Sequence, residues 1–514
     1  MRNTLDAFER QPLERGLVSL TTMLASRWRA VSLVLIAAGF VASLAIVWVL
    51  RAFPNSADEY DYIYGAWTFL AARLWNPLPP HHEFFSFLHI FEKDGKWVSL
   101  YSFGWSALLA FAGLLHLPYW LVCPITGAML LLTLAKLAQR QNGALGAVLA
   151  LLLIAPSPFF LFNSASYFNA VPTALAGTLF CWAAADFLDN PCAYSGVLAG
   201  AALGWVGVTR TYDTLIFLVP FTIQFFRVAH ARHYLFAATI SLGGLPFLAG
   251  LLLHDYAITG SALLPVESWG YPLMTFGLYP TDAWGNHSNP AMQLALALYN
   301  FGHLVSWTSP FLIAGYIVAF RRKVATRTLV FYDFVFPLAI IAYLLVYGLG
   351  GNRYGPRYYF IGYPFLVLTV VSILVPILKD KAHLRRVQFS MGLITAHVLF
   401  CLIATVRLSI FFRGVVNERM DMYEQVKAEK IHNAIVIVQS TGGTYLPFTP
   451  KDLTRNGISI DHQDVLYALD IPGRMSELEH SFPDRHFYVY SRKIGTTEGK
   501  LKRLRIEDPA RPAS

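Results

Sequence analysis

Charge is what this sequence has least of. Only 14% of its 514 residues are Asp, Glu, Lys or Arg, where a soluble globular protein carries about 25%. So few charges cannot cover a chain that is 55% hydrophobic, which excludes a soluble globular class. Cysteine is scarce too. Of the four, Cys123, Cys181 and Cys401 lie inside apolar runs, and with Cys192 they show no metal spacing. They read as buried small hydrophobes. No GxGxxG, Walker loop, zinc-ligand pattern or internal repeat is present, so nucleotide-loop chemistry and repeat architectures find no support. A cleavable signal peptide is not expected either. The first 30 residues carry eight charges of both signs, and the 20-residue apolar run after them ends at Arg51 without a small-residue cleavage pattern.

Long apolar runs are abundant, and the mean hydropathy is +0.47. The chain reads as an α-helical polytopic membrane protein. Its net charge of +9 reflects topology rather than nucleic-acid binding, because most Lys and Arg sit in short loops and at the two ends. Expected spans are Val31–Leu50, Tyr119–Ala138, Ala144–Phe162, Val171–Leu188, Tyr194–Thr209, Asp213–Val228, Tyr234–Leu253, Phe301–Phe320, Val330–Gly348, Tyr358–Leu378 and Phe389–Phe412, eleven in all. Tyr101–Leu117 is apolar but short, and reads as an interfacial or re-entrant helix.

With this count the most basic short loops, around Lys136/Arg140, Arg227/Arg232, Arg321–Arg327 and Lys379–Arg386, share the cytoplasmic side. Residues 1–30 are then a cytoplasmic segment, 31–412 the transmembrane domain, and 51–118 a first extracytoplasmic loop with juxtamembrane helices. Residues 413–514 form a small extracytoplasmic α/β domain after a short linker, with strands at Ala434–Val438 and Phe487–Tyr490.

The chain is organised around Asn55-Ser56-Ala57-Asp58-Glu59-Tyr60-Asp61-Tyr62, which opens the first outer loop. Adjacent Asp58 and Glu59 point about 100° apart on a helix. One can face a substrate while the other binds a neighbouring group, and desolvation beside a membrane suits a carboxylate to general-base work. The plainer reading is a pair of interfacial or helix N-terminal acids. A surface helix over 59–75 would use Tyr60, Trp67 and Phe69 as anchors. Arg353 and Arg357 flank Tyr354-Gly355-Pro356 at the outer end of a span, and Arg210 lies between two spans on the same side. Guanidinium forks hold phosphate, although snorkelling to headgroups also explains them. His81, His82 and Glu83 form a weak metal signal, with an ordinary polar loop as the alternative. Glu92-Lys93-Asp94-Gly95-Lys96 reads as a turn around Gly95.

Four features in order resemble the GT-C membrane glycosyltransferases, in particular the branch with protein O-mannosyltransferases and the aminoarabinose transferase of lipid A. They are the Asp58-Glu59 pair; Asp94-Gly95-Lys96-Trp97 leading into Tyr101-Ser102-Phe103-Gly104-Trp105; Pro156 to Asn169 with Tyr167; and Asn352-Arg353-Tyr354-Gly355-Pro356-Arg357-Tyr358-Tyr359. The sequence departs at Tyr101–Gly104, which lacks the double proline of that branch.

The resemblance implies a polyprenyl-phosphate sugar donor and inverting transfer to a hydroxyl of a glycan, lipid or protein acceptor on the extracytoplasmic face. The location it suggests is a bacterial inner membrane. Asp58 would be the base, with Glu59 beside it. Glu83, Tyr101, Tyr167, Arg210, Arg353, Arg357 and Tyr358 would bind substrate. The resemblance fixes no cofactor, and a divalent cation is left open. The rival reading is a transporter of lipid-linked or soluble sugars. Transporters keep ionisable groups at the bilayer midplane in paired repeats, and here the acids gather at one face.

Overall fold

The computed structural model describes residues 23, 26–282, 284–346, 351, 353–380, 382–445 and 448–504. Most of the expected cytoplasmic segment, residues 1–22, 24 and 25, lies outside the described residues.

Helix α1 (Trp28–Val49) forms the first span. After it, Ser56 caps α2 (Ala57–Leu70) by accepting the Glu59 N–H. A small sheet follows, with β1 (Asn76–Pro77), β2 (Ile90–Lys93) and β3 (Lys96–Ser99) in the order β1-β3-β2. Asp94 (φ 53°) and Gly95 (φ 73°) join β2 to β3. Two consecutive positive φ angles make the type I′ hairpin turn that an Asp-Gly pair favours. Helix α3 (Gly104–Leu114) has 11 residues and rises only ~16 Å, too short to cross a hydrocarbon core of about 30 Å.

Helix α4 (Tyr119–Ile154) is broken at Gly143, whose φ of 73° and ψ of −172° suit a residue without Cβ. Next come α5 (Pro158–Ser164), α6 (Ala170–Asp189), α7 (Ala193–Thr209), α8 (Thr214–Val228) and α9 (Ala231–Thr259). Helices α7 and α9 cross closely: a Cβ on Gly200 would fall 1.8 Å from the Ile240 carbonyl oxygen. Small residues permit this approach, as in other membrane helix pairs. Then follow α10 (Val266–Gly270), α11 (Pro290–Thr308), α12 (Pro310–Thr326), α13 (Val335–Tyr343), α14 (Tyr363–Lys379) and α15 (Leu384–Ala428).

Among the described residues, six helices are long and apolar enough to cross a membrane, or seven if one bent pair counts as a span. Of the eleven expected spans, several are short or bent helices rather than single long ones. The segment Phe301–Phe320 is not one straight helix. Helices α11 and α12 meet at 112°, because Ser309 (φ 137°) turns its side chain to cap the N–H groups of Phe311 and Leu312, and Pro310 offers no N–H to continue α11. Helices α7 and α8 have 17 and 15 residues, and Phe331–Tyr343 is shorter still.

Helix α6 runs ~30 Å, about one hydrocarbon core. At its start Asn169 bonds the Thr209 carbonyl at 3.2 Å. At its end Arg140 pairs with Asp186 at 2.6 Å and Asp189 at 2.5 Å. Arg140 and Arg210 therefore lie at opposite ends of the bundle. Helix α9 is apolar, and outside its contact with α7 few of its residues are fully buried, as in a helix with one face to lipid.

Helix α15 has 45 residues and runs unbroken through the last expected span and the charged stretch after it. The expected linker is absent; the chain enters its C-terminal part as helix. That part holds β4 (Ala434–Ser440), β5 (Val465–Leu469), α16 (Met475–Ser481), β6 (His486–Ser491) and β7 (Lys500–Arg503). Its sheet order is β5-β4-β6-β7, with β4 parallel to both neighbours and β7 antiparallel to β6.

The first loop and this sheet share one hydrophobic core, in which Tyr60, Phe84, Phe85 and Trp97 pack with Ile435, Leu466, Leu478 and Phe487. Tyr60 also donates to the Asn456 carbonyl at 2.7 Å. It is 6% exposed, so it is a core residue rather than the surface anchor expected from sequence.

Candidate active site

Helix α2 separates its two leading acids as the helical period requires. Glu59 turns inward. Its Oε2 accepts from the Asn55 N–H at 2.8 Å and from Ser56 Oγ at 3.2 Å, and its Oε1 accepts from the Tyr167 N–H at 3.0 Å. Burial raises the Glu59 carboxyl, with the Tyr167 N–H and the charges of Arg353 and Arg357 pulling the other way. It fastens the α2 start to the loop before α6, and all its contacts are with the protein interior.

Asp58 turns the other way. Its Oδ2 accepts from Arg357 Nη2 at 2.6 Å. Its Oδ1 faces His89 Nε2 at 3.1 Å and accepts from the Tyr101 hydroxyl. Burial alone would raise this carboxyl, but the Arg357 charge and the His89 hydrogen bond hold it well below the usual carboxylate range. His89 is fixed from behind, with Nδ1 3.2 Å from the Tyr271 hydroxyl. Burial disfavours its cation, yet Asp58 and Asp61 outweigh that and raise its pKa. One turn along α2, Asp61 accepts from Ser99 Oγ at 2.9 Å. Burial there pushes the carboxyl up to about 7.

Beside this carboxylate lies a cationic wall. The Arg357 guanidinium stacks 3.7 Å from the Phe168 ring centre, and its Nη1 is buried without a partner. Arg210 binds Asp213 through Nε at 3.1 Å and donates from Nη2 to the Tyr343 hydroxyl at 2.6 Å. Tyr343 in turn donates to Asp213 Oδ1 at 2.5 Å. Burial raises Asp213, with Arg210 opposing. Tyr358 stands between the two guanidinium groups, its ring centre 5.1 Å from Arg210 and 5.6 Å from Arg357. It stacks on Tyr343 at 4.8 Å. A rigid aromatic plate flanked by two arginines is suited to hold an anion.

Of the residues singled out from sequence, the structure gathers Asp58, Tyr101, Arg210, Arg357 and Tyr358 into one cluster. Arg353 acts instead on Glu59, whose carboxyl it helps to lower. Tyr167 is 6% exposed and donates its hydroxyl to the Ala52 carbonyl at 2.7 Å, which makes it an interior strut. Glu83 stands apart, paired with Arg474 of the C-terminal part at 3.4 Å. His82 faces Glu83 at 3.3 Å and Glu92 at 3.9 Å. Among the described residues no group of three or more His, Cys, Asp or Glu is placed to hold a metal ion, so no step is derived through one. Sequence reasoning did not pick out His89, Asp61, Asp213, Tyr271 or Tyr343 as site residues. Asp61 and Asp213 carry a signal through their stretches, Asn55–Tyr62 and Thr209–Asp213, which stand at span ends.

No family model matches the chain, and no curated protein sequence matches it. Solved structures do match. ArnT from Cupriavidus metallidurans bound to undecaprenyl phosphate aligns at a TM-score of 0.51 and 10% identity, over 93% of this chain and 93% of that one. The same protein in the apo state gives 0.51 and 11%, over 88% and 92%. The Archaeoglobus fulgidus oligosaccharyltransferase in complex with Zn and sulfate gives 0.52 and 14%, over 89% of this chain and 67% of that one. This chain spans 62% of the length of that oligosaccharyltransferase in its apo form. At these identities the likeness is one of architecture: the chain has the GT-C fold.

Proposed function

We propose that this integral membrane protein is a glycosyltransferase that moves a hexosyl or pentosyl group from a polyprenyl-phosphate donor to an acceptor hydroxyl, with inversion. The acceptor would be a glycan, lipid or protein. The observation that carries this reading is the convergence of Asp58 with Arg357 and Arg210 around Tyr358. A base and two fixed cations are what the reaction needs. The likeness to ArnT bound to undecaprenyl phosphate supports a lipid phosphate as the leaving group. The separation of Arg140 from Arg210 along α6 supports a cleft on the extracytoplasmic side, with the C-terminal sheet over it and the N-terminus cytoplasmic.

In this mechanism the acceptor hydroxyl donates to Asp58 and attacks the anomeric carbon from the face opposite the lipid phosphate. The new carbon–oxygen bond forms as the bond to the phosphate oxygen breaks. The hydroxyl proton passes to Asp58, and polyprenyl phosphate leaves with the electron pair. Arg357, through its free Nη1, and Arg210 meet the departing charge as preorganised donors. Tyr101 and His89 hold Asp58 in line, and Glu59 anchors the turn that carries it.

Asp58 shares Arg357 with the leaving group. A phosphate that takes the guanidinium weakens the pull on Asp58, leaving burial to strengthen the base. Donor binding thereby prepares the carboxylate for its proton.

The test is to mix purified protein, polyprenyl-phosphate sugar and a panel of hydroxyl acceptors, and to assay free polyprenyl phosphate. Acceptor-dependent release is expected. A transporter would move the lipid or sugar across a bilayer and release none.

A further inference from the structure

One acid near the cluster has no work in the mechanism above. Asp58, Asp61 and Asp213 are each engaged by side chains of the site. Glu267 carries no ion pair or hydrogen bond through its carboxylate among the described residues, and its side chain is exposed.

Its position is nonetheless fixed. Helix α10 is pinned by Val266 and Trp269, which pack with Val98 and Ile258. Lys93 ties it further, donating to the Trp269 carbonyl at 3.1 Å while its ammonium lies 4.8 Å from the Trp269 ring centre. The Tyr271 N–H donates to the Glu267 carbonyl at 2.8 Å, so residues 267 and 271 stand one above the other on the same face. The Tyr271 hydroxyl reaches His89, and His89 reaches Asp58. Glu267 therefore stands beside the same cluster. Arg210, His89 and Asp58 are the charges that reach it.

The cluster thus offers a free guanidinium donor on Arg357 and, beside it, a free acceptor on Glu267. A phosphate fits the donors. A carboxylate with two open oxygens fits a pair of neighbouring hydroxyls, as a sugar ring presents. We propose that Glu267 is a specificity-determining residue that accepts hydrogen bonds from ring hydroxyls of the transferred sugar while the phosphate rests on Arg357 and Arg210. This rests on the glycosyltransferase reading.

The test compares full-length wild type, Glu267→Gln and Glu267→Ala in lipid nanodiscs. Two probes are titrated: a polyprenyl phosphate, and a set of polyprenyl-phosphate hexoses and pentoses with deoxy analogues that lack single ring hydroxyls. Charge-assisted hydrogen bonds imply that Glu267→Ala weakens a glycosylated lipid about tenfold or more. Glu267→Gln should weaken it less. Both variants should bind polyprenyl phosphate within about twofold of wild type, since α10 makes no phosphate contact in this scheme. The deoxy analogue missing the contacted hydroxyl should bind wild type and Glu267→Ala alike. Equal weakening of both probes, unchanged binding of the glycosylated lipid, or a rise in the acceptor KM alone would overturn the role. A wild type that binds neither probe would instead remove the glycosyltransferase reading, and this role with it.

Discussion

Arg357 Nη2 sits 2.6 Å from Asp58 Oδ2 across 299 residues of sequence. The pair neutralises two charges that would each be costly alone in a buried site. It also places the base and the cation for the leaving phosphate side by side. Arg357→Gln should therefore damage both donor binding and turnover. Loss of one preorganised donor costs about 10²- to 10³-fold in kcat, and we expect that order in kcat/KM for the lipid donor. Arg357→Lys should recover part of it, because an ammonium keeps the charge and loses the fork. An unaltered kcat/KM in Arg357→Gln would separate this arginine from the reaction.

The second cation is tuned by its neighbours. Tyr343 bridges Arg210 and Asp213 through a single hydroxyl and stacks on Tyr358. Tyr343→Phe keeps the stack and removes the bridge. One hydrogen bond to a charged group is worth about 1.5–3 kcal/mol, and the direct Arg210–Asp213 pair remains without it. A several-fold rise in the donor KM with kcat nearly unchanged is the expected outcome of steady-state kinetics.

Asp61 should make stability depend on pH. Its carboxyl titrates near 7 in the folded chain because it is buried, against about 3.9 in an unfolded one. Between those values the folded state keeps a proton that the unfolded state releases, so stability falls as pH rises. The contribution is complete below about pH 4 and is lost as pH passes through about 7. Thermal unfolding at pH 5 and pH 8 should show a drop in wild type that is smaller in Asp61→Asn. Parallel pH slopes for the two proteins would contradict the assignment.

The hairpin that carries Trp97 and leads to Tyr101 depends on its turn. A Cβ on Gly95 would meet nothing within 4 Å, so the penalty for Gly95→Ala is backbone strain alone. At a φ of 73° that is about 1 kcal/mol. The melting temperature should fall by about 1 °C with the kinetics preserved.

Much of this site was legible because its residues stand beside span ends. Asp58, Arg210 and Arg357 each follow or precede an apolar run, and sidedness alone groups them. The two strand candidates were legible from β-branched and aromatic runs, and both lie inside observed strands. His89 was not legible. It is a lone histidine between Leu88 and Ile90, and its partners Asp58 and Tyr271 come from distant segments. Tyr343 sits in an apolar run that reads as lipid-facing until α13 and Arg210 are packed together. The bend at Ser309 hides inside a run whose hydropathy is that of a span. The length of α15 hides because its apolar and charged halves look like two elements. In each case a contact distant in sequence, or a local cap, decides what composition leaves open.

The most direct measurement is the rate of acceptor-dependent release of polyprenyl phosphate by Asp58→Asn, read beside its binding of polyprenyl phosphate. General-base catalysis supplies about 10²- to 10⁴-fold, and Asn keeps the shape of the side chain. We expect release to fall by at least about 100-fold while polyprenyl phosphate still binds. Release at the wild-type rate would contradict the account.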